Sequence, residues 1–422
     1  MSTSTTPHVI IVGGGFAGVA ALRALRHAPV TVTLIDRHIY NTFQPLLYQV
    51  ATSGLNPGDV TFFLRSLRRT QPNASFYHGL LTRIHADKRE IELHDGETMA
   101  YDYLVLANGV GTNFFGTPGA EEYSKSLYSR SQAMRIRDEL FTQMEKAAAS
   151  EGDAEVRVVI AGGGATGVEM AGALAELRDQ ALRDAYPELR ADSVTITLVH
   201  RGAELLKPFA GRLRRYAAKS LRKRNVVLRF GAGVTEVTET GVCLSDGNTI
   251  PAELVIWATG VTAHPEVAEW GVPQTQGGRI TVDATLAVTG RDRIYAAGDI
   301  AASPDDLAQL AQPAIQGGDH IGRQIARDLE GLEPETFVYH DKGTMATIGR
   351  YSAVVQLSSR TTMTGFPAWL LWVGIHIYSL LGNGNRVATM VRFFLHYGGP
   401  WYKRAVPIVG EVRPVRPNGD RP

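Results

Sequence analysis

Two copies of a glycine-rich β-α-β pattern, together with a long uncharged stretch near the C-terminus, predict the fold class. We expect an α/β protein with two Rossmann-like dinucleotide-binding domains and a C-terminal amphipathic membrane-anchoring region. The first copy predicts a strand at 8–12, a helix at 17–26 and a strand at 30–35, and the second a strand at 156–160, a helix at 168–182 and a strand at 194–199. Because the repeat is far longer than about 50 residues, it indicates duplicated domains and not a solenoid.

Each copy ends in a similar closing strand, which runs into Gly109 in the first copy and into Gly260 in the second. Another strand and glycine turn follow and end at Asp299. We predict a helix over 313–329, with Pro313 at its first position, where a backbone N–H has no intrahelical partner. Alternating residues over 344–357 predict antiparallel strands.

Composition excludes several classes of protein. The 43 basic and 42 acidic residues leave no basic footprint for nucleic acid. Cys243 is the single cysteine, so neither a disulfide reductase nor a sulfide oxidase with paired cysteines is possible, and a cytoplasmic setting fits. We see no signal peptide in residues 1–7 and no cluster of metal ligands in the sequence.

The first glycine loop, Gly13-x-Gly15-x-x-Gly18, follows a strand and opens a helix. Its glycines allow a tight turn, the approach of a pyrophosphate and close packing of helix on strand. Asp36 ends the next strand, where a carboxylate can accept hydrogen bonds from ribose hydroxyls. We assign Arg37, the next residue, to the same cofactor site.

The second loop is Gly162-x-Gly164-x-x-Gly167, and His200 takes the place of Asp36, followed by Arg201. An acid at this place favours NAD, whereas a basic residue accommodates the 2′-phosphate of NADP. Two interpretations stay open: the pair contacts the ribose of NADPH, or it is a solvated loop and NADH binds.

In flavoproteins with two such domains, the N-terminal loop binds FAD and the inserted domain binds NAD(P)H. Asp299 supports this assignment because it follows a strand and can bond the flavin ribityl or phosphate region. The alternative is an aspartate that only shapes its turn.

The sequence resembles the type II NADH:quinone oxidoreductases, the non-proton-pumping alternative NADH dehydrogenases, over nearly its whole length. Four segments carry the resemblance: residues 43–52, 162–172, 311–316 and 342–349. It departs from the family at His200-Arg201, which replaces an acid, and at Asn108, where threonine is commoner and from which we expect little consequence.

The resemblance implies specific roles. Gln44, Pro45 and Leu46 would lie beside the isoalloxazine, and Glu169 near the nicotinamide and the flavin. Gln312 and Gln316, four residues apart on one helix face, would line a quinone pocket, with Gln312 also near the flavin. From spacing alone the glutamines are an ordinary polar helix face, and Glu169 a carboxylate that stabilises a helix N-terminus.

The C-terminal stretch changes in character. Residues 361–385 carry no charged side chain, and residues 366–381 are rich in aromatic and aliphatic groups. A second apolar stretch, 387–397, contains Arg392 and is followed by Lys403 and Arg404. We expect these helices to lie in the plane of the membrane surface. The open alternatives are a dimerising or core-packed helix pair and a single spanning helix.

The predicted domains are an FAD-binding domain in two parts (1–115 and 263–332), an NAD(P)H-binding domain (116–262), C-terminal strands and membrane-anchoring helices (333–404) and a disordered tail (405–422). We expect a peripheral enzyme on the cytoplasmic face of the cell membrane, with a homodimer possible. It would pass hydride from NADH or NADPH to FAD and two electrons on to a membrane quinone. A soluble NAD(P)H oxidase or ferredoxin reductase of the same fold and an FAD-binding scaffold or redox sensor are the alternatives.

Overall fold

The structure is a computed structural model that describes residues 6–150, 154–190 and 192–398. The predicted disordered tail and the basic pair Lys403 and Arg404 lie outside the described residues. Packing divides the described chain into two compact units. The first unit draws on Met1–Thr42, Phe62–Gly111 and Val261–Lys342, and the second on Phe43–Thr61, Thr112–Gly260 and Gly343–Pro422. The domain limits expected from the sequence stay predictions.

The strands are short, and most have a buried face. In chain order they are β1 His8–Val12, β2 Thr31–Asp36, β3 Tyr40–Thr42, β4 Thr61–Phe63, β5 Ala74–His78, β6 Leu81–His85, β7 Glu90–Leu93, β8 Thr98–Ala100, β9 Tyr103–Leu106, β10 Gly111–Thr112, β11 Ser124–Ser126, β12 Val156–Ala161, β13 Val194–His200, β14 Val226–Phe230, β15 Val234–Thr238, β16 Gly241–Leu244, β17 Thr249–Pro251, β18 Leu254–Trp257, β19 Val261–Thr262, β20 Ile280–Thr281, β21 Ile294–Ala296, β22 Ala301–Ala302, β23 Thr344–Thr347, β24 Ala353–Gln356 and β25 Thr362–Thr364.

The α-helices include one after each glycine loop and two near the C-terminus. They are α1 Phe16–Ala24, α2 Leu47–Ala51, α3 Ala120–Tyr123, α4 Arg130–Ala148, α5 Ala165–Leu177, α6 Arg183–Ala185, α7 Gly211–Arg222, α8 Ala311–Leu329, α9 Gly365–Ser379 and α10 Asn383–Tyr397. Short 3₁₀ turns lie at Gln44–Leu46, Pro57–Val60, Leu64–Arg69, Ala86–Lys88 and Pro265–Trp270.

A parallel five-stranded sheet organises the first unit, with the order β21-β9-β1-β2-β5. Its central strand β1 is buried from Val9 to Val12, as expected for a parallel strand with both faces covered. Helices α1 and α8 pack closely because Gly318 has no side chain and lies against the backbone of Ala17.

The second unit repeats this plan with the parallel order β11-β18-β12-β13-β14. Strands β12 and β13 pair in register from Val156 with Val194 to Ala161 with Val199. Two parallel sheets, each built around a strand, glycine turn and helix, confirm the predicted α/β fold class.

Two predicted helix limits are wrong. Helix α8 begins at Ala311, so Pro313 is its third residue and not its first. This costs no hydrogen bond because all the N–H groups of the first turn lack an intrahelical acceptor. Helix α5 spans Ala165–Leu177 and gives way to a π-helical turn at Arg178–Leu182, where regular α-helix over 168–182 was expected.

The C-terminal part of the second unit is a three-stranded antiparallel sheet, β23-β24-β25, followed by the helical hairpin α9–α10. The sheet confirms the predicted antiparallel strands. Two polar contacts hold the hairpin against residues 59–61, where β4 begins. Arg392 Nε lies 2.6 Å from Asp59 Oδ2, and Asn385 donates to the carbonyl of Thr61. Arg392 therefore directs its guanidinium to a buried carboxylate while its side chain stays partly exposed.

We predict that Asp59→Ala lowers the free energy of unfolding by about 2 kcal/mol, since it leaves the Arg392 guanidinium without its partner in a partly buried site. Chemical denaturation of the single variants and of Asp59→Ala with Arg392→Leu measures the coupling. The double variant should lose clearly less than the sum of the two single losses. Additive losses would show that the ion pair does not hold the hairpin.

Candidate active site

The first glycine loop has backbone geometry that requires glycine at two places. Gly13 has φ of +107°, and a Cβ there would overlap the carbonyl oxygen of Ala107. A Cβ on Gly18 would overlap the carbonyl oxygen of Gly13. These two glycines let the loop close tightly between β1 and α1.

Gly15 differs from its neighbours, because a Cβ there would meet no protein atom within 4 Å. Its φ of −78° is open to any residue. The fold itself therefore does not need glycine at this position, whereas a phosphate group at the N-terminus of α1 does.

Other residues of the first unit complete a nucleotide site. Asp36 accepts hydrogen bonds from the backbone N–H groups of Gly14 and His38, both at 2.6 Å, so the loop and the carboxylate hold each other in place. Burial raises the pKa of Asp36. Arg37 is exposed and contacts His264 at 3.1 Å.

Asn108 lies at the end of the closing strand, and both atoms of its side-chain amide are buried without a hydrogen-bond partner. Gly109 beside it takes φ of +67°. A buried amide with no partner costs free energy unless a ligand supplies one. The structure thus gives this departure a local cost, an unpaired buried amide, where the sequence predicts little consequence.

Asp299 and the start of α8 line one cavity of the first unit, together with Gly298, Leu310 and Pro313. This arrangement agrees with the predicted cofactor role of Asp299, and that role stays a prediction. The first turn of α8 directs unpaired N–H groups toward its N-terminal end, which favours negative charge there.

The two glutamines predicted to line the quinone site differ in their hydrogen bonding. Gln316 donates to the carbonyl of His340 and accepts from its N–H, both at 3.0 Å, so its amide ties a following segment to α8. Gln324 makes the same pair of bonds with Glu335. Gln312 makes no side-chain hydrogen bond within the described residues, so its amide is free for a ligand.

The second glycine loop reproduces the first. A Cβ on Gly162 would overlap the carbonyl oxygen of Ala258, and one on Gly167 would overlap the carbonyl oxygen of Gly162. Gly164 again faces open space. Gly260, at the end of β18, lies against the ring of Phe115, and its carbonyl accepts from the N–H of Asn113.

His200 stands in the structural place of Asp36. Its Nδ1 accepts from the N–H of Gly163 at 3.2 Å, as the carboxylate of Asp36 accepts from Gly14. Partial burial lowers the pKa of His200, and Arg201 lowers it further, so the ring is neutral at pH 7. Arg201 is exposed beside Gly233.

Glu169 is the fifth residue of α5, beyond the first turn, so the interpretation as a helix N-terminal carboxylate is wrong. Its Oε1 accepts from the N–H of Thr347 at 3.2 Å. Burial raises its pKa to about 8, although the residue as a whole is not fully buried. The indole N–H of Trp372 lies near this carboxyl group and lowers its pKa. Its geometry is outside the limits of an ordinary hydrogen bond.

The hydrogen bond between Thr347 and Glu169 forms because the backbone at the end of β23 lies close to helix α5. A Cβ on Gly172 would lie 2.5 Å from the carbonyl oxygen of Ile348, so only glycine lets the end of β23 reach the helix. Glu169, Gly172 and Glu176 share one face of α5. Two of the segments that carry the family resemblance therefore meet here.

Glu176 is a buried carboxyl group that the sequence analysis missed. The N–H of Arg350 donates to its Oε2 at 2.9 Å, and burial raises its pKa to about 7. His396 Nε2 lies 3.8 Å from its Oε1. Because burial lowers the pKa of His396 to about 4, this contact is not an ion pair at pH 7. A second acid on the same face of an otherwise apolar helix, seven residues after Glu169, was the signal that could have found Glu176.

Aromatic groups surround the two carboxyls. Tyr48 is buried beside Trp372, with ring centroids 6.2 Å apart, and its pKa is raised well above its usual range by burial and then by Glu169. His376 stacks on Trp372 at 4.0 Å, and burial lowers its pKa to about 4. The side-chain amide of Gln49 donates hydrogen bonds to the hydroxyls of Tyr48 and Tyr397.

Gln44, Pro45 and Leu46 form a 3₁₀ turn in the second unit that leads into α2. Leu46 is fully buried, whereas Gln44 and Pro45 are half-buried. Their predicted place beside the isoalloxazine stays a prediction.

Two dinucleotide loops on two parallel sheets define the class of pyridine nucleotide-disulphide oxidoreductases, and the model of that family matches residues 7–318. The chain is 33% identical over 403 residues to the type II NADH:quinone oxidoreductase Ndh of Mycobacterium tuberculosis, covering 91% of this chain and 86% of the relative. It is 29% identical over 387 residues to the demethylphylloquinone reductase NdbB of Synechocystis, covering 87% and 91%.

Among solved structures, NDH2 of Plasmodium falciparum in complex with NADH superposes with a TM-score of 0.86 at 20% identity, covering 94% of this chain and 100% of that chain. This likeness concerns the fold. The curated relatives confirm the resemblance seen in the sequence: the chain belongs to the type II NADH:quinone oxidoreductases. It is therefore an FAD-dependent enzyme with NADH as its reductant.

The residues of the first unit fit FAD. The tight loop at Gly13 and Gly18, the open position at Gly15 and the carboxylate of Asp36 are what an adenine dinucleotide requires. The bound flavin supplies an acceptor for the hydride of NADH and passes electrons on in pairs.

We predict that Gly15→Val abolishes FAD binding and that Gly164→Val leaves FAD bound but raises the KM for NADH by roughly tenfold or more. Both side chains enter space that the protein leaves open, so the fold should survive. Flavin absorbance of the purified variants and steady-state kinetics measure the two effects. Full flavin occupancy in Gly15→Val would contradict the assignment of the first loop.

Proposed function

We propose that this enzyme works on the surface of a membrane, where it oxidises NADH and delivers two electrons to a lipid-soluble quinone. The helical hairpin α9–α10 carries the proposal. Within the described residues, nine of the nineteen large hydrophobic side chains that are exposed belong to this hairpin: Phe366, Leu370, Ile375, Tyr378, Val387, Met390, Val391, Phe394 and Leu395.

Both arginines of the hairpin have partners within the protein. Arg392 pairs with Asp59, and the guanidinium of Arg386 donates to the carbonyl of Leu380 and lies over the ring of Tyr378. An apolar surface of this kind on a helix suits the boundary between headgroups and acyl chains. No helix in the described part of the chain is long and apolar enough to cross a bilayer.

The opposite side of the hairpin contacts the candidate active site. Trp372 and His376 of α9 pack beside Tyr48 and Phe43, and Tyr397 of α10 joins Gln49. One hairpin therefore offers an apolar surface to lipid and aromatic groups to the surroundings of Glu169. A quinone dissolved in the membrane has to reach such a site, which supports a peripheral location.

We predict that Phe394→Ser with Leu395→Ser weakens binding to phospholipid vesicles by about tenfold or more, because two exposed apolar side chains no longer enter the lipid. Leu332→Ser with Val338→Ser, also exposed but in the first unit, is the matched control. Vesicle sedimentation measures the binding. If the hairpin variant binds like the control but changes the oligomeric state, the surface is a dimer contact instead.

The proposed role of Glu169 is to hold a proton for the quinone. Reduction of a quinone to a quinol takes two electrons and two protons, and NADH with its hydride supplies only one of the protons. With its pKa raised to about 8, Glu169 is largely protonated at pH 7. Its carboxyl can therefore donate a proton as a general acid and take up another proton before the next turnover.

We expect the quinone half-reaction to slow as pH rises through about 8, because the carboxyl of Glu169 then loses the proton that it donates. Glu169→Gln should slow this half-reaction by roughly a hundredfold and remove the break in its pH profile. Stopped-flow measurement separates it from flavin reduction by NADH, which should change little. An unchanged pH profile in Glu169→Gln would rule out this role.

We also propose that the free amide of Gln312 donates a hydrogen bond to a carbonyl of the quinone. Gln316 was predicted to act with it, but its amide already pairs with both backbone groups of His340. We therefore assign Gln316 to holding that segment on α8 and leave the quinone contact to Gln312.

A third proposal concerns the nucleotide. A carboxylate at the end of β13 would repel the 2′-phosphate of NADPH, and here a neutral ring stands in its place while keeping the hydrogen bond to Gly163. Arg201 next to it is an exposed guanidinium that can pair with a phosphate. We therefore propose that the enzyme accepts both NADH and NADPH.

Replacing His200→Glu together with Arg201→Ala should shift the ratio of kcat/KM toward NADH by roughly tenfold, or about 1.4 kcal/mol. The glutamate can keep the bond to Gly163 and adds the missing repulsion. His200→Gln with Arg201 intact is the control, since it adds no charge and should retain NADPH use. A native enzyme that does not turn over NADPH would disprove the proposal.

A further inference from the structure

Basic residues are concentrated in one segment of the second unit. Residues 205–235 contain nine arginines and lysines and no acidic residue, in a chain whose overall charge is only +1. Helix α7 lies in the middle of this segment. The local charge is therefore a property of one surface and not of the whole molecule, and it contributes a local positive potential.

Helix α7 has buried apolar side chains on one side and exposed basic side chains on the other. Leu213, Ala217 and Leu221 are buried against the unit. Five basic side chains are exposed and follow one another at helical spacing along the opposite side: Arg212, Arg215, Lys219, Arg222 and Lys223. We call these five residues the basic stripe.

The stripe is not neutralised by the protein. Arg214, on another side of α7, pairs with Glu204 at 2.6 Å, and Arg224 donates to the carbonyls of Ser220 and Arg350. Within the described residues, the members of the stripe form no ion pair, and the guanidinium of Arg222 lies over the ring of Phe230. Unpaired guanidinium and ammonium groups in a row are suited to an anionic partner.

The stripe lies next to the start of the hairpin. Tyr216, at the edge of the stripe, places its hydroxyl 3.2 Å from Ser352 Oγ and next to Gly365, the first residue of α9. The N–H of Ala210, just before α7, donates to the side chain of Gln356 in β24 at 2.8 Å. A basic surface thus adjoins the region where the apolar hairpin begins.

We propose that the basic stripe binds the phosphate groups of anionic phospholipids while the apolar surface of the hairpin enters the lipid. The inference rests on the proposed membrane location and adds the chemistry of the lipid. Basic side chains near a membrane gain affinity from anionic headgroups, and an apolar helix next to them supplies the second anchor. The continuity of the two surfaces favours lipid over nucleic acid, which would not need the hairpin.

The test compares vesicles of neutral phosphatidylcholine with vesicles that also contain phosphatidylglycerol. The full-length flavoprotein should bind the anionic vesicles about tenfold more tightly, and added salt should reduce the difference because it screens exposed charges. Arg215→Gln with Lys219→Gln should lose most of this preference. Arg68→Gln with Arg69→Gln, which removes two exposed charges from the first unit, should keep it.

Turnover with a water-soluble quinone and flavin content should be the same in all three proteins, which shows that the variants are folded. Equal binding of the native enzyme to both kinds of vesicle would overturn the inference and leave the membrane location intact. Binding to neither would overturn both. An equal loss in the stripe variant and in its control, or tighter binding to single-stranded RNA than to the anionic vesicles, would likewise overturn the inference.

Discussion

The close approach of β23 to helix α5 is the constraint on which the second unit depends. Gly172 has no side chain, so the carbonyl of Ile348 lies against the helix and the N–H of Thr347 reaches Glu169. The same helix begins at the glycine loop for the nucleotide, and the same sheet leads into the hairpin. One helix thus connects the nucleotide loop, a protonatable carboxyl and the proposed membrane anchor.

The two glycine loops show how a duplicated unit can diverge at one residue. Both loops use glycine where a side chain would strike backbone, and both leave the middle glycine facing open space. Asp36 and His200 receive the same backbone hydrogen bond, but one is a carboxylate and the other a neutral ring. The hydrogen bond preserves the loop, while the change of charge is free to alter the choice of nucleotide.

Much of the fold followed from local patterns. The β-α-β units, the glycine loops and the antiparallel strands are encoded by residues close together in the sequence, and the family resemblance added the cofactors and the reaction. The start of α8 was misplaced because the missing N–H of a proline costs no hydrogen bond at any position of a first turn, so Pro313 does not fix where the helix begins. Partnerships between distant residues could not be predicted: the pairing of Gln316 with His340, of Arg392 with Asp59 and of Glu176 with the backbone of Arg350 depends on packing that no local pattern records.

The central claim is that the electrons of NADH end on a quinone. It is tested most directly by adding NADH to the purified flavoprotein on vesicles that contain a lipid-soluble quinone and following both compounds under air. The account predicts that one quinol forms for each NADH consumed, with little hydrogen peroxide. NADH consumption with the quinone left oxidised and peroxide accumulating would identify an oxidase, and bound FAD without turnover would identify a scaffold; either result would contradict the account.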